Sequence, residues 1–287
     1  MDVTERPIAV FDSGLGGLTV VRAIREELPA EDIVYFGDTA RIPYGTKSRE
    51  TVIRFARENC EFLMRTRPKC IVVACNTASA LAVEVLADEI PVPLIGVVQP
   101  GAVAAVDAQP AGLIAVLATE ATVASNAYRD AIAAIDSRRA VIQASCPLFV
   151  PLVEEGLDSS EPIVRMVVER YLGPIKRLRP GVVVLGCTHY PILREAVSEF
   201  LGSHVVMVDS GQSTARAVKR ALGTMNALSG GVQRGSLHCY VSDHPRRFQS
   251  IGSRFLGEPV CDVVGICPED WAEVSVRPAA TGVRATA

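Results

Sequence analysis

The chain has 287 residues, of which 49% are hydrophobic and 21% charged, a composition typical of a protein that buries a sizeable core. A formal net charge of -3 and 5% aromatic residues disfavour a dedicated nucleic-acid surface. No apolar run approaches the length of about 18 residues that a membrane span needs, and MDVTERPIAV does not resemble a secretory signal. We therefore expect a cytoplasmic protein that requires neither a membrane nor a nucleic acid.

Short β-branched runs bounded by Gly, Asp, Asn or Pro recur along the chain and predict strands. In chain order they are IAVFD from Ile8, DIVYFGD from Asp32, CIVVACN from Cys70, PLIGVV from Pro93, LIAVLAT from Leu113, VIQASC from Val141, GVVVLGC from Gly181, VVMVDS from Val205 and CYVSD from Cys239. Between most of them, apolar residues recur every three or four positions, most clearly in GLTVVRAIREEL and ETVIRFARENCEFLMRTR. This alternation predicts an α/β fold, and about nine strands favour two parallel sheets over one.

Two segments indicate where the chain passes between two α/β domains. PVPLIGVVQPGAV is rich in Pro and Gly, and VVMVDSGQSTA offers a return crossing. We predict a first domain of residues 1–98 plus 208–287 and a second of residues 99–207. FDSGLGG and VDSGQST both place Asp-Ser-Gly after a strand, which suggests two related halves, and the tail VRPAATGVRATA is expected to be loose.

The eight cysteines include no C-x-x-C pair and no Cys/His cluster, which disfavours zinc and thioredoxin-like chemistry. Most should be ordinary buried residues. Cys75 in IVVACNTAS and Cys187 in VVLGCTHYP, however, both follow predicted strands, where parallel sheets bind ligands. Each is either a reactive thiol at a helix N-terminus or a buried strand-end residue. His189 either sets the protonation state of Cys187 or is a buried polar group with partners of its own.

Three further motifs are open to a functional and a structural interpretation. FDSGLGG has Thr19 where a dinucleotide fingerprint needs its third Gly, and it lacks the Gly-Lys-Ser/Thr of a P-loop, so a nucleotide site is disfavoured. Its glycines suit either a small carboxylate or a simple tight turn. GDTARIPYG places Asp38 after a strand, and CPLFVPLVEEG, with Pro147 and Pro151, ends in Glu154 and Glu155. These carboxylates belong either to a site or to exposed loops and helix ends.

Taken together, FDSGLGGLTV, GDTARIPYG, ACNTASA, CPLFVPLVEEG and LGCTHYPIL resemble the motifs of glutamate racemases, cofactor-independent enzymes of bacterial peptidoglycan synthesis. The resemblance runs in order from about Ile8 to Leu256. Aspartate racemases share the two-cysteine plan, but GDTARIPYG and LGCTHYP are more similar to the glutamate branch. The resemblance implies two flavodoxin-like, doubly wound parallel-sheet domains that face each other across an active-site cleft. It also implies a homodimer, L- or D-glutamate as the substrate, no cofactor and no metal.

The resemblance implies roles for individual residues. Cys75 matches the base that acts on the D-enantiomer and Cys187 the base that acts on the L-enantiomer. The auxiliary acids match Asp12 beside Cys75, His189 and Glu154 beside Cys187, and Asp38 as a further carboxylate. The substrate-binding residues match Asp12, Ser13, Tyr44, Gly45, Asn76, Thr77, Thr122, Thr188 and His189. Glu120 departs from the family, in which a small or apolar residue is common; it either alters the affinity for an anionic substrate or points to solvent.

Two other functions are compatible with parts of the sequence. A pyridoxal-phosphate racemase needs a Schiff-base lysine, and none of Lys47, Lys69, Lys176 and Lys219 lies in a recognisable cofactor motif. A ligand-sensing α/β module without catalysis would carry the same thiols as buried residues. For a two-base racemase we expect the cleft to open for substrate and to close around the reacting carbon.

Overall fold

The computed structural model describes residues 2–109 and 111–267, so the predicted loose tail lies outside the described residues. Two parallel sheets form the framework. The first sheet contains β1 (Ile8–Asp12), β2 (Ile33–Gly37), β3 (Cys70–Val73), β4 (Leu94–Gly96), β9 (Leu237–Val241) and β10 (Val263–Gly265). The second sheet contains β5 (Ile114–Ala118), β6 (Val141–Ser145), β7 (Val182–Gly186) and β8 (Val206–Asp209).

Helices connect the strands and cover both sheets. They are α1 (Leu18–Glu27), α2 (Arg49–Met64), α3 (Asn76–Leu86), α4 (Val98–Ala108), α5 (Glu120–Ser125), α6 (Ala127–Ile135), α7 (Phe149–Glu154), α8 (Pro162–Arg177), α9 (Arg194–Leu201), α10 (Ser210–Thr224) and α11 (Pro245–Leu256). Short 3-10 turns occupy Val3–Glu5, Thr39–Arg41, Tyr44–Thr46 and Tyr190–Leu193. Among the described residues, no helix is both long enough and apolar enough to cross a bilayer.

The predicted doubly wound α/β architecture with two parallel sheets is confirmed. All nine predicted strands are present, and β1, β2, β3, β5 and β7 are buried along their whole length, as uninterrupted apolar runs require. β10 was not predicted because, unlike the equally short β4, it does not lie within a longer apolar run such as PLIGVV. α7 forms despite Pro151, since this residue lies in the first turn, where a missing N–H costs no helical hydrogen bond.

The two sheets share one strand order. The first runs β10-β9-β2-β1-β3-β4 and the second β6-β5-β7-β8, so β2-β1-β3-β4 repeats as β6-β5-β7-β8. In each sheet the direction of winding reverses at one pair of strands, β1 with β3 and β5 with β7. A crevice forms at the carboxyl ends of such a pair. The fold therefore provides two crevices built in the same way.

The chain leaves the first sheet after β4 and returns to it at β9. The predicted domain division at 98/99 falls after the first residue of α4, and the one at 207/208 falls within β8, a strand of the second sheet. The assignment of whole domains stays a prediction. Helix α1 packs along α10, so the returning segment is joined to the first sheet through a helix pair.

Candidate active site

A cavity of about 380 Å³ lies where the carboxyl ends of the two sheets meet. Its walls are formed by residues that come after β1 and β3 in the first sheet and after β5 and β7 in the second. These are the two pairs of strands at which the direction of winding reverses. The predicted site residues that line it are Ser13, Tyr44, Gly45, Cys75, Asn76, Thr77, Glu154, Cys187, Thr188 and His189. Asp12, Asp38 and Thr122 do not line it; they are buried behind residues that do.

Cys75 follows β3 and caps the N-terminus of α3. Its Sγ accepts a hydrogen bond from the Ala78 N–H at 3.5 Å and lies 3.6 Å from Ser13 Oγ. Burial, reinforced by the neighbouring Asp12 carboxyl, raises the pKa of the Cys75 thiol to about 12, although its hydrogen bonds with the Ala78 N–H and the Ser13 hydroxyl oppose the shift. Cys75 is therefore a protonated thiol at neutral pH.

Cys187 follows β7 and faces an imidazole. Its Sγ lies 4.0 Å from His189 Nδ1, and His189 Nε2 lies 3.1 Å from Glu154 Oε1 at the end of α7. Burial alone would lower the pKa of His189, but its hydrogen bonds to Cys187 and Glu154 outweigh that effect and raise the pKa to about 10. His189 is therefore a cation at neutral pH, held between a thiol and a carboxylate.

Asp12 ends β1 and supports the cavity from behind. Its carboxylate accepts hydrogen bonds from the Gly14 N–H at 3.0 Å and from Thr188 Oγ1 at 3.4 Å. Burial raises the pKa of Asp12, and the nearby His189 partly offsets the shift. Asp12 therefore contacts both crevices, since Thr188 follows Cys187 in the second sheet.

The glycines of FDSGLGG serve close packing across the cleft. A Cβ at Gly16 would lie 2.3 Å from Thr188 Oγ1 and 2.5 Å from His189 Nδ1. Only a glycine lets the loop after β1 approach the thiol-bearing segment of the second sheet this closely. Close packing between the two crevices thus accounts for the glycine in this motif, and no nucleotide site is needed to explain it.

Asp38 anchors the loop that carries Tyr44 and Gly45. It is fully buried, pairs with Arg41 Nε at 2.7 Å, accepts from Ser242 Oγ at 3.1 Å and also accepts from the Tyr44 hydroxyl. Since the Asp38 carboxylate faces these partners and not the cavity, it acts on the site through the loop.

Three threonine hydroxyls meet at the boundary between the two sheets. Thr77 Oγ1 lies 2.9 Å from Thr119 Oγ1 and 3.3 Å from Thr122 Oγ1, and the latter two are 2.9 Å apart. Thr77 belongs to α3, whereas Thr119 caps α5. Thr122 therefore contributes to the site through its two neighbours.

The sequence reasoning missed part of the lining. Thr119 was not singled out, although a Thr that follows a strand and precedes a helix is a typical N-cap and signals such a position. An apolar wall formed by Ile42, Pro43, Pro147, Val150 and Pro151 was also missed. Glu120 lines the cavity and is exposed to solvent, and its effect on substrate affinity stays a prediction.

The lining contains no Lys or Arg among the described residues, and His189 is its one cationic group. None of the four lysines reaches the cavity, so the site does not fit a pyridoxal-phosphate Schiff base. Of the described cysteines, six are buried, and only Cys75 and Cys187 line this cavity. Residues 2–109 and 111–267 contain no group of three or more His, Cys, Asp or Glu side chains suited to a metal ion. A larger cavity of about 460 Å³, along α1 and α10, is lined by none of the predicted site residues.

Comparisons with known proteins match this fold. A glutamate racemase from Bacillus anthracis superposes with a TM-score of 0.88 at 35% identity, covering 92% of this chain and 98% of that structure. Glutamate racemase from Francisella tularensis, solved in complex with D-glutamate, superposes with a TM-score of 0.86 at 37% identity, covering 93% and 99%. The fold is therefore that of an amino-acid racemase.

The chain belongs to the Asp/Glu/Hydantoin racemase family, whose sequence profile matches residues 8–218. A curated glutamate racemase from Geobacter metallireducens is 44% identical over 264 residues, covering 92% of this chain and 97% of that relative. One from Aquifex aeolicus is 42% identical over 253 residues, covering 88% and 95%. The predicted family resemblance is confirmed, and the chain is an isomerase of this family.

Proposed function

We propose that the chain interconverts L-glutamate and D-glutamate, with Cys75 and Cys187 as its two proton-transfer groups. Inverting an α-carbon requires removal of a proton from one face and delivery of a proton to the other. The observation that carries the proposal is the placement of two buried thiols on two different sheets, at strand ends that line one cavity. The glutamate racemases among its relatives support glutamate as the substrate.

The two thiols have different surroundings. Cys75 holds its proton because its pKa is raised to about 12, whereas Cys187 lies beside a cationic His189. In the inversion of L-glutamate, Cys75 would supply the proton on one face, and Cys187 would act as the base on the opposite face.

An anionic substrate would be recognised without Lys or Arg. The lining supplies hydroxyls from Ser13, Thr77, Thr119 and Thr188, and the N-terminus of α3 opens into it at Asn76. Hydroxyl donors, together with the positive end of a helix dipole, suit carboxylates. Because these donors are carried by both sheets, one substrate would bridge the two crevices.

We assign Asp12 and Asp38 positioning roles, since neither lines the cavity. Asp12 would orient Thr188, and Asp38 would fix the Tyr44 loop, through the hydrogen bonds described above. We further propose, from the family resemblance, a cytoplasmic homodimer that supplies D-glutamate for peptidoglycan synthesis.

The experiment that tests the proposal follows the circular dichroism of L-glutamate and, separately, of L-aspartate in deuterated buffer with purified protein. The expected result is decay of the L-glutamate signal to zero with deuterium at the α-carbon. Cys60→Ala, which removes a buried thiol outside the cavity, should behave as wild type. Inversion of L-aspartate alone would contradict the substrate, and no inversion of either would contradict the function.

A further inference from the structure

Tyr128 does not line the cavity, yet it contacts a residue next to each of the two thiols. It lies in α6, on the second sheet, and it is fully buried. Its hydroxyl donates a hydrogen bond of 2.6 Å to Oδ1 of Asn76, the first residue of α3 in the first half of the site. The bond spans 52 positions of sequence and connects the helices of the two sheets.

The Tyr128 ring is held between two glycines. A Cβ at Gly101 in α4 would lie 3.2 Å from both the ring edge and the hydroxyl of Tyr128, and a Cβ at Gly186 would lie 3.1 Å from the opposite ring edge. Gly186 ends β7 and directly precedes Cys187. Tyr128 therefore contacts the residue that follows Cys75 through its hydroxyl, and the residue that precedes Cys187 through its ring.

The hydrogen bond from Tyr128 fixes the orientation of the Asn76 side-chain amide. Burial raises the pKa of Tyr128 well above that of an ordinary phenol, so the hydroxyl stays a donor. The amide oxygen of Asn76 then points toward Tyr128, and its nitrogen donates to Ser210 Oγ at 3.4 Å. An amide nitrogen carries two hydrogens, and among the described residues one of them is donated to Ser210. Asn76 lines the cavity, so an amide held in this orientation would present N–H rather than oxygen to a carboxylate bound there.

We propose that Tyr128 is a positioning residue for racemisation: its hydroxyl holds Asn76 with the amide N–H toward the substrate, while its ring keeps the two thiol-bearing strand ends in register. The inference rests on the proposed function. Without the hydroxyl, the Asn76 amide can rotate and present its oxygen to an anionic substrate, which weakens binding. Loss of one such hydrogen bond should raise KM for glutamate about fivefold while kcat changes less.

The test compares Tyr128→Phe with Tyr190→Phe, each of which removes one buried hydroxyl and keeps the ring. The Tyr190 hydroxyl donates to the Cys146 carbonyl at 2.9 Å, within the second sheet, and both tyrosines are fully buried. A purely structural role would affect thermal stability in both variants and KM in neither. We expect the raised KM in Tyr128→Phe alone.

A double-mutant cycle with Asn76→Ala separates action through Asn76 from a general loss of packing. We expect Tyr128→Phe to change KM little once Asn76 is already truncated. Ser210→Ala removes the longer bond to the same amide and also the hydrogen bond between Ser210 and the Tyr128 hydroxyl, so it should raise KM too, and it serves as the probe if Tyr128→Phe folds poorly.

The outcomes distinguish this inference from the proposed function. A wild-type protein that neither binds nor inverts glutamate contradicts both. Two results with an active wild-type protein contradict the role of Tyr128 and leave the proposed function intact. One is an unchanged KM in both Tyr128→Phe and Ser210→Ala. The other is an effect of Tyr128→Phe on KM that is just as large in the Asn76→Ala background.

Discussion

Nε2 of His189 lies 3.1 Å from Oε1 of Glu154, so the imidazole beside Cys187 is anchored to a carboxylate from another element. The ring also packs edge-on against Phe255 at a centroid distance of 5.3 Å. Burial alone would lower the pKa of His189 and favour the neutral imidazole, but the hydrogen bonds to Glu154 and Cys187 raise that pKa. The cationic state of His189 therefore depends on these two contacts.

Glu154→Gln should move the alkaline limit of activity to lower pH. The pKa of His189 is raised above its ordinary value to about 10, so the imidazole is protonated below that pH and loses its proton as pH rises through it. Removing the carboxylate lowers that pKa. In the pH profile of kcat/KM for L-glutamate, wild type should lose activity near pH 10 and the variant earlier.

The matched control is Glu155→Gln, which removes the same charge one residue further on. Glu155 is exposed, and its recorded ion pair is with Arg247 at 3.6 Å, at the surface. Its profile should match that of wild type. Identical profiles for all three proteins would show that Glu154 does not hold the proton of His189.

Gly45→Ala should weaken substrate binding. A Cβ at Gly45 would lie 2.8 Å from Thr119 Cβ, across the boundary between the sheets, so the loop after Asp38 could no longer pack on α5. Overpacking of this kind typically costs about 1–3 kcal/mol. Steady-state kinetics should show a raised KM. Gly173→Ala, at a helix position with nothing within 4 Å, should leave KM unchanged; equal effects at both positions would refute the contact.

Glu120→Gln should lower KM for glutamate at low salt. The carboxylate of Glu120 lies on the rim of a cavity without Lys or Arg, where it repels an anionic substrate. For exposed charges the effect should be about two- to fivefold and should vanish as salt screens it. KM measured over a range of NaCl concentrations tests this, with the exposed Glu169→Gln in α8 as the control. A KM that is equal to that of wild type at low salt would place Glu120 outside the path of the substrate.

Lys69→Met should destabilise the protein and leave KM unchanged. The Lys69 side chain is fully buried, pairs with Glu31, and donates to the carbonyls of Thr4 at 3.1 Å and Ala227 at 2.9 Å. Removing one partner leaves a buried carboxylate unpaired, which costs about 3–5 kcal/mol. Lys69 precedes β3 and Cys75 follows it, so the pair lies at the opposite end of the strand from the cavity.

Urea denaturation would measure this loss, and adding Glu31→Gln should recover much of it because no unpaired charge then remains. Retained activity in Lys69→Met would also exclude this lysine as a Schiff-base residue. No loss of stability would show that the pair is solvated.

The sequence reasoning succeeded where the signal is local. The apolar runs predicted the nine strands, and the rule that ligands bind at the carboxyl ends of parallel strands singled out the positions of Cys75 and Cys187. That the two cysteines share one cleft was implied by the family resemblance. Their roles as proton-transfer groups stay a prediction. β10 was missed because its three residues do not belong to a longer apolar run, whereas the equally short β4 lies within PLIGVV.

The remaining contacts could not be predicted because they depend on how the two sheets pack. The bond between Tyr128 and Asn76 joins residues 52 positions apart, and the bond between Thr188 and Asp12 joins residues 176 apart. Neither has a local sequence signature. For the same reason, the family resemblance could match Asp12, Asp38 and Thr122 to a site without showing that they lie behind its lining.

The most direct test of the central claim measures α-deuterium exchange, by NMR in deuterated buffer, from each glutamate enantiomer separately in Cys75→Ala and Cys187→Ala. Loss of one of two required acid–base groups should reduce racemisation by about 10²-fold or more. The account predicts that Cys75→Ala exchanges the α-proton of L-glutamate only and that Cys187→Ala exchanges that of D-glutamate only, both without inversion. A single variant that still racemises glutamate at the wild-type rate would contradict the two-thiol account.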